Sequence, residues 1–309
     1  MCGLNIIKYL RVSVTTSCNE NCWYCFNEGQ PFNHAELNDL DGFKWFINLL
    51  VSEYGTEIIR FTGGEPLTNP NILNFICIAK NSGVQKIGLT TNGTLLQKYY
   101  EQLAVSGLDM CAVHLNQFDK SKPVNMAKIK DFINEIVAKF NKVKFNIVLT
   151  KHNKHYVLEI ISYAIINKIN LLILDLLQAG VTDDDFEDSY CSLDEIRKIL
   201  IENGLIEKVE NINSKFYSGS GSNIKLIDHY SNYKLRSSYC TRALEYNPLL
   251  LTPNFDLTVC THFGKQSFSI LSAVLNKDKY ELRDIIHSAK EYLIICAECA
   301  QKVVLTSTL

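Results

Sequence analysis

The chain has 309 residues, 31 Lys and Arg against 33 Asp and Glu, and a formal net charge of −2; at about 150 residues per domain this predicts roughly two domains, or one barrel-sized domain with an appendage. Hydrophobic residues at 47% and charged residues at 21% are globular values, and without long polar tracts or membrane-length apolar runs they exclude a disordered or membrane-spanning chain. The balanced charge offers no positive field for phosphate backbones, so no nucleic-acid or membrane partner is expected.

Residues Met1–Lys8 lack the basic segment, apolar stretch and cleavage site of an export signal, which predicts a cytoplasmic protein. Short β-branched runs then alternate with amphipathic stretches. Strands are expected at Ile6–Thr15, Glu57–Thr62, Lys86–Thr91, Met110–Leu115, Lys144–Thr150 and Leu171–Leu177. A helix is expected over Leu37–Val51, with Phe43, Phe46, Ile47, Leu50 and Val51 on one face. Six β-then-α units imply an α/β protein with a parallel sheet, either doubly wound or a full or partial barrel, and in each case ligands gather at the C-terminal strand ends.

Beyond Gln178 the pattern changes. An acidic stretch, Asp183–Asp188, precedes a helix opened by Ser192 and Glu195 and closed before Gly204, while Ser218–Ser222 reads as a flexible loop. A hairpin pairs Leu249–Thr252 with Leu257–Cys260 around Pro253-Asn254, and a last helix carries Leu282, Ile285, Ile286, Ala289 and Leu293. The expected division is a barrel over 1–180, a linker or extension over 181–235 and a C-terminal domain over 236–309.

Eleven cysteines are too many for packing alone, and their odd number in a long chain argues for metal or catalysis over a disulfide scaffold. Cys18, Cys22 and Cys25 follow the first strand. Zinc sites close four ligands, whereas three clustered thiolates suit an iron–sulfur cluster with one iron open to a ligand; a zinc or incidental thiol cluster is the alternative.

The Cys-x3-Cys-x2-Cys spacing with Tyr24 before the last cysteine, followed by Gly63-Gly64-Glu65-Pro66 after the second strand, resembles the radical S-adenosylmethionine (SAM) superfamily. The resemblance implies a partial (βα)6 TIM-type barrel and a 4Fe–4S cluster on Cys18, Cys22 and Cys25. It also implies that the open iron chelates SAM and that Gly63, Gly64, Glu65 and Pro66 meet its methionine amine. Glycines there let the backbone approach a ligand closely. Tyr24, Thr91, Asn92, Asn116 and Asn146 are further implied SAM contacts.

Leu10-Arg11-Val12-Ser13-Val14-Thr15, Ile59-Arg60-Phe61-Thr62, Leu89-Thr90-Thr91-Asn92-Gly93-Thr94, Gly107-Leu108-Asp109, Asn146, Asn153 and Leu174-Asp175-Leu176 resemble the GTP cyclase family of molybdenum-cofactor biosynthesis. On that likeness Arg11, Arg60 and Arg242 coincide with arginines that meet a triphosphate, and three kept while others are lost suggests a smaller anion, each having a structural ion pair as its bland reading. The chain departs from that family at Ser237, where a cluster cysteine stands, at Ile58, a basic position, at His114-Leu115-Asn116, a Ser-Leu-Asp segment, and at Ser307-Thr308-Leu309, a Gly-Gly tail.

Cys240, Cys260, Cys296 and Cys299 resemble the Twitch domain, a shortened relative of the SPASM domain, so a small C-terminal α+β domain with an auxiliary 4Fe–4S cluster is implied. A three-thiol set with one cysteine unused, and a zinc ribbon-like site, stay open as alternatives. Phe255 stands where SPASM-type sequences place a glycine.

His114 at the mouth of the fourth strand is a candidate acid, base or SAM-ribose contact, and His262 a neighbour of the auxiliary cluster. Cys77 and Cys111 are expected in the core, and Cys191 is weighed as a hydrogen-atom donor. The expected enzyme cleaves SAM reductively and takes a hydrogen atom from a small anionic molecule, leading to oxidation, cyclisation or epimerisation. An electron donor such as flavodoxin or ferredoxin is the implied partner. The rivals are a GTP-type nucleotide cyclase, a peptide-modifying enzyme with a separate leader-binding partner, since 17 residues precede Cys18, and a non-catalytic iron–sulfur or zinc module.

Overall fold

A computed structural model describes residues 6–115, 124–140, 142–211, 214–219, 221–228, 249–259 and 266–292. Two compact units divide them: residues up to 21, 26–110 and from 235 on form the first, and 22–25 with 111–234 the second.

In the first unit β1 (Tyr9–Ser13), β2 (Ile58–Thr62) and β3 (Lys86–Thr91) run parallel, joined by α1 (Leu40–Tyr54) and α2 (Ile72–Asn81), and α3 (Leu96–Val105) follows β3. Alternation decides their faces. Leu10, Val12, Ile59, Phe61, Ile87 and Leu89 point to the helices and are fully buried. Phe43 of α1 meets Phe61 at 6.2 Å and Phe75 of α2 edge-on at 5.0 Å, each such buried ring contributing about 1.5–3 kcal/mol. The opposite face presents Tyr9, Arg11, Ser13, Ile58, Arg60 and Thr62, the partly polar positions of the same strands.

Helix α1 begins where the Asp39 carboxylate accepts from Gly42 N at 2.9 Å and ends at Gly55, whose φ of 64° closes the last turn. Its start is three residues later than the sequence pattern predicts, because Asp39 caps it. The C-terminal hairpin forms as expected. β10 (Leu249–Leu251) lies parallel beside β1, and β11 (Asp256–Val259) and β12 (Gln266–Ser269) continue antiparallel. In its turn Phe255 adopts φ 59° with its ring 3% exposed, the left-handed conformation for which a glycine is the usual choice. Helix α8 (Leu271–Asn276) packs on α1, and α9 (279–292) buries Leu282, Ile286 and Ala289.

The second unit repeats the parallel pattern with β4 (Met110–His114), β5 (Val143–Leu149) and β6 (Leu171–Asp175), α4 (Met126–Lys139) and α5 (Lys154–Asn167) following β4 and β5. Within the expected linker or extension over 181–235 the described residues form regular elements. α6 (Asp183–Ser189) is capped by Thr182, α7 (Asp194–Glu202) follows, and β7 (Ile206–Asn211), β8 (Ser214–Gly219) and β9 (Ser222–Ile227) form a meander whose last strand pairs parallel to β6. Where Ser218–Ser222 is expected as a flexible loop, Gly219 pairs opposite Ser222 and Gly221 has φ 88°. Serine and glycine serve tight turns and flexible loops alike.

Cys111 is buried as expected, but Cys77 is on the exposed side of α2, its thiol 3.7 Å from the Ser106 carbonyl. Among the described residues no helix is long and apolar enough to cross a membrane.

Candidate active site

The chain leaving β1 runs alongside the segment after β2. Val14 N donates to Thr62 O at 3.0 Å, Gly64 N to Thr15 O at 2.8 Å and Glu65 N to Ser17 O at 2.8 Å. A Cβ on Gly63 would sit 2.2 Å from Thr15 O, and one on Gly64 2.1 Å from Ser17 O. The two glycines are thus required by main chain meeting main chain one residue before Cys18, not by a ligand alone, and Gly63 uses φ 135° to do it.

Glu65 is fully buried. Its carboxylate accepts from Thr91 Oγ1 at 2.7 Å, Leu67 N at 3.0 Å and Asn92 N at 2.7 Å. Burial pushes its pKa above the usual carboxylate range, while these three donors pull the other way. The side chain therefore ties the end of β2 to the end of β3. Asn92 Nδ2 donates to Asn19 Oδ1 at 2.8 Å and lies 3.9 Å from Cys18 Sγ, and Asn19 Nδ2 donates to Thr94 Oγ1 at 2.7 Å. The TTNGT segment thereby braces the cysteine loop at its first thiol. Asn19 and Thr94 were not singled out from the sequence.

Cys22 and Cys25 close a turn of their own, Cys25 N donating to Cys22 O at 3.0 Å, with Trp23 and Tyr24 edge-to-face at 5.4 Å between them. Cys18 and Cys25 are exposed and Cys22 partly so. Among the described residues no three His, Cys, Asp or Glu side chains are gathered so as to hold a metal ion, so the reading of these thiols as three cluster ligands rests on their spacing in the sequence.

On the inner face of the first unit, Arg11 and Arg60 are register partners on β1 and β2. Their fates differ. Arg11 pairs with Glu28, whose Oε1 also accepts from Thr62 Oγ1 at 3.0 Å. Glu28 comes from a turn where Asn27, Glu28 and Gly29 have φ 48°, 51° and 77°, a left-handed run that costs about 1–2 kcal/mol for each non-glycine residue. Glu28 was missed in the sequence. The turn-forming Asn-Glu-Gly just after the last cysteine was its signal. Arg60 lies over Gly88, 3.5 Å from Thr90 Oγ1 and 3.9 Å from Met110 Sδ, with no carboxylate partner among the described residues.

In the second unit His114 and Asn146 are register partners on β4 and β5, the Asn146 amide nitrogen 3.0 Å from His114 Nε2. Asn146 is 6% exposed and its Oδ1 has no partner among the described residues. Cys191 is part-buried beside Lys154 and Glu195, and burial pushes its thiol up, away from the reactive thiolate. Asn116, Arg242, Cys240, Cys260, His262, Cys296 and Cys299 lie outside the described residues.

The radical SAM superfamily model matches residues 12–190, spanning β1 to the end of α6, more than half of the chain. The chain belongs to the radical SAM superfamily. A 4Fe–4S cluster and SAM are therefore its cofactors, and it is an enzyme. It is 28% identical over 298 residues to a probable GTP 3′,8-cyclase of Methanothermobacter thermautotrophicus, covering 92% of this chain and 93% of that one. It is 30% identical over 256 residues to a probable GTP 3′,8-cyclase of Methanococcus aeolicus, covering 79% and 84%. Among solved structures it resembles Streptococcus suis SuiB bound to precursor peptide SuiA, with TM-score 0.61, 16% identity, 89% of this chain and 66% of that one. Native anSMEcpe with bound AdoMet and Cp18Cys peptide follows with TM-score 0.55, 12% identity, 91% and 83%. At such identities the structures share the fold, an α/β partial TIM-type barrel, and that agrees with the six β-then-α units.

Proposed function

We propose that this radical SAM enzyme abstracts a hydrogen atom from a small substrate carrying an anionic group, which is then oxidised, cyclised or epimerised. The observation that carries the reading is Arg60, a cation on the inner strand face with no carboxylate partner among the described residues. Cys18, Cys22 and Cys25 are assigned to the SAM cluster, and Cys240, Cys260, Cys296 and Cys299 to an auxiliary cluster. Bound SAM, on receiving one electron from a donor such as flavodoxin or ferredoxin, supplies methionine and a 5′-deoxyadenosyl radical; the protein orients the reactants and keeps water out. Thr91 and Asn92, both hydrogen-bonded to Glu65, are assigned to the same site.

Cyclisation of GTP is a second reading, favoured by relatives of that name over nearly the whole chain. Anaerobic incubation with SAM, dithionite and deuterated candidate anions, GTP among them, tests both. The expected outcome is 5′-deoxyadenosine carrying substrate deuterium, with KM raised at least tenfold by Arg60→Ala. Deuterium transfer from GTP with a cyclised purine as product would decide for the second reading.

A further inference from the structure

Two arginines side by side on neighbouring parallel strands, about 4.8 Å apart, would form a site for a multiply charged anion. On β1 and β2 they do not act as a pair. The Glu28 carboxylate occupies Arg11, and it is fixed in turn by the Thr62 hydroxyl at 3.0 Å. Thr62 is the register partner of Ser13, the next pair along the same face, and Ser13 Oγ accepts from Gln30 Nε2 at 3.0 Å. The turn that delivers Glu28 and Gln30 therefore lays two acceptors along this face. Both have an atom to spare: Glu28 Oε2 and Gln30 Oε1 are buried with no partner among the described residues, and Gln30 is 8% exposed. Lys86 is on the same face but at the exposed start of β3, far from the strand ends.

We infer that Glu28 is a specificity residue: by neutralising Arg11 it leaves Arg60 as the uncompensated arginine of this face among the described residues, so the site takes a ligand with one anionic group next to a hydroxyl or ammonium donor and turns polyphosphates away. The left-handed backbone at Asn27 and Glu28 is the conformation that presents the carboxylate to Arg11. A triphosphate would meet one arginine and one carboxylate where two arginines would be required. The inference rests on the reading that this face receives the substrate.

The test uses the full-length enzyme, anaerobically reconstituted with SAM bound, and inorganic tripolyphosphate as the probe in equilibrium dialysis. Tripolyphosphate is expected to bind the wild type weakly and Arg11→Ala no more tightly, since that variant leaves the Glu28 carboxylate unneutralised. It should bind Glu28→Gln, or Glu28→Ala if the glutamine variant does not load iron, at least tenfold more tightly, and the gain should vanish when Arg11→Ala is added. Unchanged affinity in both Glu28 variants, or a gain that persists when Arg11→Ala is added, would overturn the inference. The underlying reading fails separately, through an unchanged substrate KM in Arg60→Ala, whatever the dialysis shows.

Discussion

Lys290 illustrates how far one residue can depart from its type. It is 6% exposed, with Nζ 5.0 Å from the centre of the Tyr54 ring, in a cleft that also holds Glu53, Arg283, Asp284 and His287. Desolvation lowers its pKa from 10.5 to about 8. The folded state favours the neutral amine, so the linked stability is complete above about pH 10.5 and is lost as pH falls through about 8. Lys290→Met should accordingly be more stable than the wild type at pH 7, by about 1–3 kcal/mol, with the gap closing near pH 10.5; urea unfolding at both pH values measures it, and equal midpoints at pH 7 would refute it. Such behaviour was not legible in the sequence, where Lys290 is one polar position between Ala289 and Glu291. The same holds for Arg11. Its motif was legible, but its partner arrives from a turn whose backbone no periodicity reveals. Glu65 was legible as a site residue and its task was not, since the carboxylate faces Thr91 and Asn92.

At the scale of elements, the parallel strands were legible because buried and half-buried residues alternate along them, and their observed ends differ from the expected ones by a few residues. The meander β7–β9 was not. Ile206 is 74% exposed at its outer edge, and the alternation of β9 begins on Ser222 and so carries just two buried apolar residues, Ile224 and Leu226. The element that matters most for the site is the pairing of the Gly63-Gly64-Glu65 segment with Thr15–Ser17. Gly64→Ala forces a Cβ to within 2.1 Å of the Ser17 carbonyl, so it should cost about 2–4 kcal/mol of stability and lower the iron retained after reconstitution. Chemical denaturation and iron analysis check both, and full iron loading at wild-type stability would show that the ladder is not needed. Glu65→Gln puts an amide N–H toward one of three donors and should cost about 1–3 kcal/mol, read from the same denaturation curves.

For the whole molecule, two cysteine groups predict separable iron. The triple variant Cys18→Ala, Cys22→Ala, Cys25→Ala should lose about four irons of about eight per chain and all 5′-deoxyadenosine formation. Loss of all iron, or of none, would contradict two independent clusters. The class of chemistry was legible in the sequence because thiol spacing is local, whereas the closing of the β1 edge by β10 joins residues far apart in the chain and leaves no local trace.

That last pairing matters while the protein is being made. Leu10 finds Leu249 as its partner, so the outer side of the first strand stays open until nearly all of the polypeptide has left the ribosome, roughly 10–50 s at ordinary rates of synthesis. A nascent chain with an apolar parallel strand waiting that long invites pairing with a neighbour on the same message. Slower translation or missing chaperones should therefore show as aggregates rather than as soluble, inactive enzyme.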